Sequence, residues 1–346
     1  MTILGQPAPP GIFCPIEPAI HPAVETVENR SIEWLRAGEF LDDHHQGRAL
    51  IATKSAEFMA RMAPHGCADR LQIASDWAYW GFAFDDRFDR GPLSKDLGGF
   101  VSYATEIVRV LEAPGSVLRE TDPLVSSLVD ISARFTACVT PVQHRRWVQA
   151  HRAWLFGVCA EMSATTTPSV DEYLAIRINN AAGEIVTVST ELVNAYEPPA
   201  AESELPRVRA LTEMARVLAA LDNDLHSHPK TVALNETNQH DLLTVIAARH
   251  ACGPDEAIAR AVRLRDRIMC RFLRAGTRTS GLSTDTRRYL QGLRHVVRGN
   301  LDWALDVERY RVDGRSVADC FTIDDSPTDS SPDPPGISSI DWWWQV

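Results

Sequence analysis

The chain has 346 residues, 45% hydrophobic and 23% charged, which is enough to bury one sizeable core and too apolar for a disordered chain. Its formal net charge of −11 argues against a polyanion such as nucleic acid, which is met by clustered Lys and Arg. The seven scattered cysteines include no C-x-x-C pair, no apolar run nears the about 20 residues that span a bilayer, and the start lacks a signal-peptide pattern, so a cytoplasmic protein with no membrane span and reduced thiols is expected.

In chain order, residues 1–24 ("PAPPGIFCPIEPAIHPAV") read as a Pro-rich extended arm, because each proline restricts itself and its predecessor. From 25 to 313 apolar residues recur at helical spacing, most clearly in "PLVSSLVDISARFTACV" and "DEAIARAVRLRDRIMCRFLRAG". Gly, Pro and cap residues near 65–69, 89–99, 112–116, 163–170, 194–206, 250–255 and 280–285 divide this stretch into helix-length segments. The expectation is an all-α, single-domain bundle whose helices are long enough to surround a deep cavity. Residues 314–346 are rich in Ser, Asp and Pro and read as a flexible tail. The terminal "WWWQV" is out of place in a solvated tail, so its tryptophans either dock onto the body or mark an exposed patch.

Within "WAYWGFAFDDRFDRG" (77–91) an aromatic run leads into Asp85, Asp86 and Asp89. On a helix Asp85 and Asp89 share a face at i and i+4, with Asp86 beside them. Carboxylates this close repel one another. Mg²⁺, a hard ion that takes oxygen ligands and shares them with substrate phosphates, relieves that repulsion. The competing reading is a solvated acidic helix end balanced by Arg87 and Arg90.

A second set lies in "LDNDLHSHPKT" (221–231), where Asn223, Ser227 and Thr231 recur at i, i+4 and i+8 and all carry oxygen. The competing reading there is a helix start capped by Asn223 or Asp224. Arg177 in "YLAIRINNAAG" and the pair Arg309 and Tyr310 offer charge-assisted and phenolic hydrogen bonds to phosphate oxygens.

Taken in order, these segments resemble the bacterial class I terpene synthases (terpene cyclases), and the likeness covers nearly the whole chain. "FCPIEPAIHP" followed by Trp34 is similar to the family's N-terminal segment, and "DWAYWGFAFDDRFD" to its aspartate-rich helix. "YLAIRINNAAG" resembles the pyrophosphate-sensor helix, "NDLHSHPKT" the second metal motif, and "NLDWALDVERY" the C-terminal W…RY segment.

The resemblance implies a single α-helical barrel around a deep apolar active-site cavity, binding three Mg²⁺ ions and the diphosphate of a linear prenyl substrate. It implies that Asp85 and Asp89, with Asp86 beside them, face metal, and that Asn223, Ser227 and Thr231 hold a further ion. Arg177 would sense the diphosphate, with Asn180 as linker and Ala181 as backbone effector near the breaking C–O bond. Lys230, Arg309 and Tyr310 would grip the phosphates. Phe82 shares the helical face of Asp85 and is expected to line the cavity, whereas Trp80 and Phe84 should point elsewhere. The implied reaction ionises farnesyl diphosphate and cyclises it to a sesquiterpene with release of pyrophosphate. Geranylgeranyl diphosphate is the alternative substrate, and a homodimer is compatible with the likeness.

One position departs from the pattern. The second motif of the family usually ends in glutamate, and this chain has Thr231, whose hydroxyl brings no charge to a divalent ion. Glu236, five residues on, would project about 140° away on a regular helix. A catalytically silent relative that only binds prenyl ligands is therefore the rival from another class. A chain-elongating prenyltransferase is disfavoured because Asp42–Asp43 and Asp324–Asp325 lack an apolar helical setting, and a protonation-initiated cyclase because no D-x-D-D run occurs.

Overall fold

A computed structural model of the chain describes residues 10–113, 115–116, 122–233 and 240–346, apart from the side chains of Asp89, Arg90 and Pro92. A short strand β1 (Gly11–Phe13) precedes α1 (Val24–Ala37), α2 (His44–Ile51) and α3 (Ser55–Met62), after which α4 (Ala68–Arg90) packs against both α1 and α3. Cap chemistry sets the next helix starts. Asp96 accepts from Gly99 N at the head of α5 (Leu97–Glu112), and Asp122 from Leu124 N at the head of α6 (Pro123–Cys138). Reciprocal capping boxes, Thr140 with Gln143 and Ser169 with Glu172, open α7 (Pro141–Met162) and α8 (Val170–Asn180). The chain continues through α9 (Gly183–Asn194), the single turn α10 (Ala200–Ser203), α11 (Pro206–Ala233), α12 (Leu242–His250), α13 (Pro254–Ala275), α14 (Thr284–Asp306), a strand β2 (Thr322–Asp324) and the short α15 (Ser338–Asp341).

The apolar faces of these helices condense into two large clusters. Trp77, Trp80, Phe84, Trp147 and Trp154 anchor one, built on α4 to α7 with α9; Leu218, Leu221, Met269, Leu293 and Trp303 anchor the other, built on α11 to α14. Phe58 packs against both, so the cavity described below lies where they meet. Among the described residues no helix is long and apolar enough to cross a membrane.

Three features place the site. First, α11 runs unbroken from Pro206 to Ala233 with Pro229 inside it, so Asn223 and Asp224 are helix-interior residues and neither is a cap. Second, α8 and α9 are separated by Ala181 and Ala182 alone, and Ala182 holds a left-handed backbone (φ 55°) that costs a non-glycine residue about 1 kcal/mol or more. Gly157 of α7 permits this break, since a Cβ there would lie 2.6 Å from Asn180 N and 2.9 Å from Asn179 Cβ.

Third, the tail is packed, which corrects the expectation of a flexible segment. β2 pairs in parallel with β1, Gly11 opposite Thr322, and Thr328 donates from both N and Oγ1 to Asp266 at 2.8 Å. Trp343 is fully buried, with Nε1 donating to Glu213 at 3.0 Å while Arg271 donates to its carbonyl at 2.9 Å. Ser338 N and Ser339 N bond Asp171 in the first turn of α8 at 3.1 and 2.7 Å. The Pro-rich arm meets the tail as its extended partner from Pro10 onward; residues 1–9 lie outside the description.

Candidate active site

The end of α4 carries Phe82 and Asp85 to a cavity mouth, with Asp86 beside it on Arg309, and there α7 contributes Glu161, α8 contributes Arg177 and Asn180, and α11 contributes Asn223, Ser227, Lys230 and Thr231. The helical turn Glu308–Tyr310 after α14 closes the ring with Arg309 and Tyr310. This mouth encloses about 180 Å³. A deeper, mostly apolar space of about 160 Å³ shares Phe82, Asp85, Arg177, Asn180, Asn223 and Tyr310 with it, and adds Phe58, Trp154, Ala181 and Trp303. Residues separated by up to about two-thirds of the chain thus converge, an arrangement that the resemblance implies and that spacing within each helix does not show. The side chain of Asp89, and Glu236 altogether, lie outside the described residues.

Two cations at the mouth, Arg177 and Arg309, are held by oxygen-bearing side chains around it. Arg177 donates to Asn223 Oδ1 at 2.9 Å and to Asn180 Oδ1 at 3.1 Å, and pairs with Asp224 at 2.8 Å. Asn180 passes its own N–H to Glu161 at 2.8 Å, while Asn223 Nδ2 donates to the Tyr310 hydroxyl at 2.6 Å. One network therefore runs from α7 through α8 and α11 to the segment after α14. Arg309 grips Asp86 with both arms, at 3.1 and 3.0 Å, and its guanidinium sits 4.7 Å from the Phe82 ring centre. Burial disfavours the charge on Arg177 and Arg309, but Asp224 and Asp86 outweigh it and raise both pKa values, so both remain cations.

Phe82 lies where the sequence puts it, stacked on Trp303 at 5.7 Å, and Trp303 meets Phe58 and Tyr310 edge-on. Trp80 points away, its Nε1 donating to Leu124 O at 2.7 Å. The expectation for Phe84 needs correction, because with Phe88 it reaches the mouth from the other apolar cluster. Sequence reasoning missed Glu161, Asp224 and Asp241. Asp224 is buried, bonds Leu242 N at 3.1 Å and also receives the Tyr173 hydroxyl. Asp241 receives His228 at 2.6 Å and caps α12. Glu161 stands outside any motif, but Asp224 adjoins Asn223 and was within reach of the spacing argument.

The family model described as "Terpene synthase family 2, C-terminal metal binding" matches residues 76–271, a span that includes both metal-motif segments and the α8–α9 break. The chain belongs to the terpene synthases. Spiroviolene synthase of Streptomyces violens is 41% identical to it, over 99% of this chain and 98% of that one. (+)-T-Muurolol synthase of Streptomyces clavuligerus, described as (2E,6E)-farnesyl diphosphate cyclizing, is 31% identical over 96% of this chain and 81% of its own. Among solved structures, the SVS_A2 protein from ancestral sequence reconstruction is similar with a TM-score of 0.87 at 42% identity, over 97% of this chain and 98% of that one. The terpene synthase is a lyase whose substrate is a prenyl diphosphate, which it cyclises, and the domain it shares with its relatives is a metal-binding one.

Proposed function

We propose that this terpene synthase ionises farnesyl diphosphate with Mg²⁺, three ions in all, and cyclises the cation to a sesquiterpene. The observation that carries the reading is the set of partners at the mouth. The oxygens that suit a hard cation, Asp86 Oδ1 and Oδ2 and Asn223 Oδ1, are each held by an arginine that suits a phosphate. With substrate bound, Arg309 and Arg177 would be free to meet the diphosphate, and the Asp86 carboxylate and Asn223 amide oxygens they now hold would be available to a hard cation. Asp224, paired with Arg177 at 2.8 Å, keeps that arginine charged and anchored.

Asp85, Asp86 and Asp89 would hold metal on the α4 side, and Asn223, Ser227 and Thr231 on the α11 side; of these, Asp85, Asn223, Ser227 and Thr231 line the one mouth, and hard oxygen donors of this kind fit Mg²⁺. Bound Mg²⁺ supplies Lewis-acid stabilisation of the negative charge that grows on the departing pyrophosphate. Arg177, Lys230, Arg309 and the Tyr310 hydroxyl bind and orient the phosphate oxygens. Asn180 ties Arg177 to Glu161, so movement of the sensor arginine is transmitted to the α8–α9 break. That break ends α8 beside Ala181, which lines the deeper cavity, so the negative end of the α8 dipole lies there and would favour a cation. Phe82, Phe58, Trp154 and Trp303 exclude water and offer ring faces, each contributing roughly 0.5–2 kcal/mol to a nearby cation.

The farnesyl chain is supported by the likeness to (+)-T-muurolol synthase. The small residues Ala181, Ala182, Gly183, Ala219 and Ala220 along one wall of the deeper cavity favour geranylgeranyl diphosphate as the second reading. Asp85→Ala tests the metal assignment: product formation is lost while the circular dichroism spectrum and melting temperature stay near those of the wild type. Full activity in that variant would sink the assignment.

A further inference from the structure

The deeper cavity holds two polar side chains that the reading above does not use, Arg216 and Asn300. Val296, Asn300 and Trp303 follow one another along a single face of α14 and line that cavity. Asn300 is only 5% exposed. Its Nδ2 donates to the carbonyl of Ala219 on α11 at 3.1 Å. A carbonyl can only accept, so this bond fixes which end of the amide is nitrogen. The other end, Oδ1, has no hydrogen-bond partner among the described residues, and it is not sealed in the protein interior but open to the cavity.

The surroundings make the acceptor conspicuous. Phe58, Met62, Trp154, Val186 and Val296 share this lower wall with it. The charged group at this level, Arg216, has its guanidinium bonded twice to Thr187 Oγ1, at 3.2 and 3.0 Å, with Glu184 at 3.6 Å. Arg216 is therefore compensated, and Asn300 Oδ1 is not. A leucine would fill the same space with no polar atom left over, so the amide is costly as packing alone. In a dry cavity the negative end of an amide dipole acts at full strength on any positive charge that forms within reach.

We infer that Asn300 is a specificity-determining residue, whose amide oxygen favours positive charge on one part of the cyclising hydrocarbon and so biases which carbocation the cascade passes through. This rests on the prenyl diphosphate reading. No bond to Asn300 forms or breaks; the oxygen acts as a fixed dipole in the cavity that the end of α8 also lines.

The test compares the wild type with Asn300→Leu and Asn300→Ser, using the prenyl diphosphate that the wild type turns over. Hydrocarbon products are profiled by gas chromatography and mass spectrometry, and pyrophosphate release is followed in parallel. Leucine removes both amide functions at similar volume. Serine removes the amide oxygen and its dipole, while its shorter hydroxyl keeps a donor on the Ala219 side and its lone pairs lie back against α14 rather than at the position of Oδ1. The expected result is that in both variants the main product's share falls at least threefold in favour of other cyclic or acyclic terpenes, while pyrophosphate release shows that ionisation still occurs. An unchanged product profile in both would overturn the inference. So would a change in the leucine variant alone, since that pattern belongs to the α14–α11 bridge rather than to the oxygen. A wild type that turns over no prenyl diphosphate would instead refute the functional reading, and this inference with it.

Discussion

Trp343→Ala is the perturbation with the most direct structural arithmetic. Its indole is fully buried against α11, in the same apolar cluster as Ile340, with Trp342 and Trp344 packed on it. A tryptophan buries about 150–250 Å², which at about 25 cal/mol per Å² is roughly 4–6 kcal/mol before any relaxation. Measured truncations of this size cost about 3–5 kcal/mol because the site partly collapses. Loss of the Nε1 bond to Glu213 adds about 1 kcal/mol, because it strands a half-buried carboxylate oxygen. A loss of about 4 kcal/mol is a large share of the 5–15 kcal/mol that holds a typical domain together, roughly. Guanidinium unfolding followed by tryptophan fluorescence and by far-ultraviolet circular dichroism measures it. The tail also bonds Asp171 at the start of the sensor helix, so loosened docking should lower turnover as well. A change within about 0.5 kcal/mol, the usual range of a surface substitution, would refute the claim that the tail is part of the core.

Thr231→Glu supplies the charge that position 231 lacks, and the Mg²⁺ concentration for half-maximal turnover should fall at least threefold; an unchanged titration would remove Thr231 from the ligand set. His151 gives a pH prediction. Its Nε2 accepts from Trp77 at 3.0 Å and its Nδ1 faces the Trp147 carbonyl at 2.8 Å, so the neutral ring is satisfied, and burial pushes its pKa down to about 4. Between the ordinary histidine value and about 4 the unfolded chain takes up a proton that the folded chain refuses, so stability falls as pH drops, by about 1.4 kcal/mol per unit. Urea unfolding across pH 4 to 7 should show this slope reduced by one proton in His151→Phe, whatever that variant's absolute stability. An identical slope in both proteins would place the titration elsewhere.

The helical fold was legible because helix signals are local: apolar residues at three- and four-residue spacing, and caps such as Thr140 and Ser169, act within one turn. The ligand candidates were legible for a related reason, since Asp85, Asn223, Ser227 and Thr231 sit on regular helices whose period fixes the shared face. The α8–α9 break was not. Two alanines carry no break signal, and what imposes the turn is the close approach of Gly157, which is 23 to 26 residues away in sequence from Asn180 to Gly183. The tail misled for the opposite reason. Its Ser, Asp and Pro content lacks any apolar period, yet Ile340 and Trp343 bury completely, and Asp171, Asp266 and Arg271 on the body satisfy its backbone. Composition averages over 33 residues, whereas docking depends on a few of them. Glu161 escaped because nothing in "CAEMS" separates a site carboxylate from a solvated one; only the bond from Asn180 does.

The measurement that bears most directly on the account is turnover by the purified wild type. Geranyl, farnesyl and geranylgeranyl diphosphates are each supplied with Mg²⁺ or with EDTA, and the extracted hydrocarbons are analysed by mass spectrometry. The account predicts a cyclic C15 hydrocarbon or alcohol from farnesyl diphosphate, abolished by EDTA. A cyclic product from geranylgeranyl diphosphate alone would contradict the chain length and keep the chemistry. No cyclic product from any of the three in a folded protein, or product undiminished by EDTA, would contradict the metal-assisted ionisation itself.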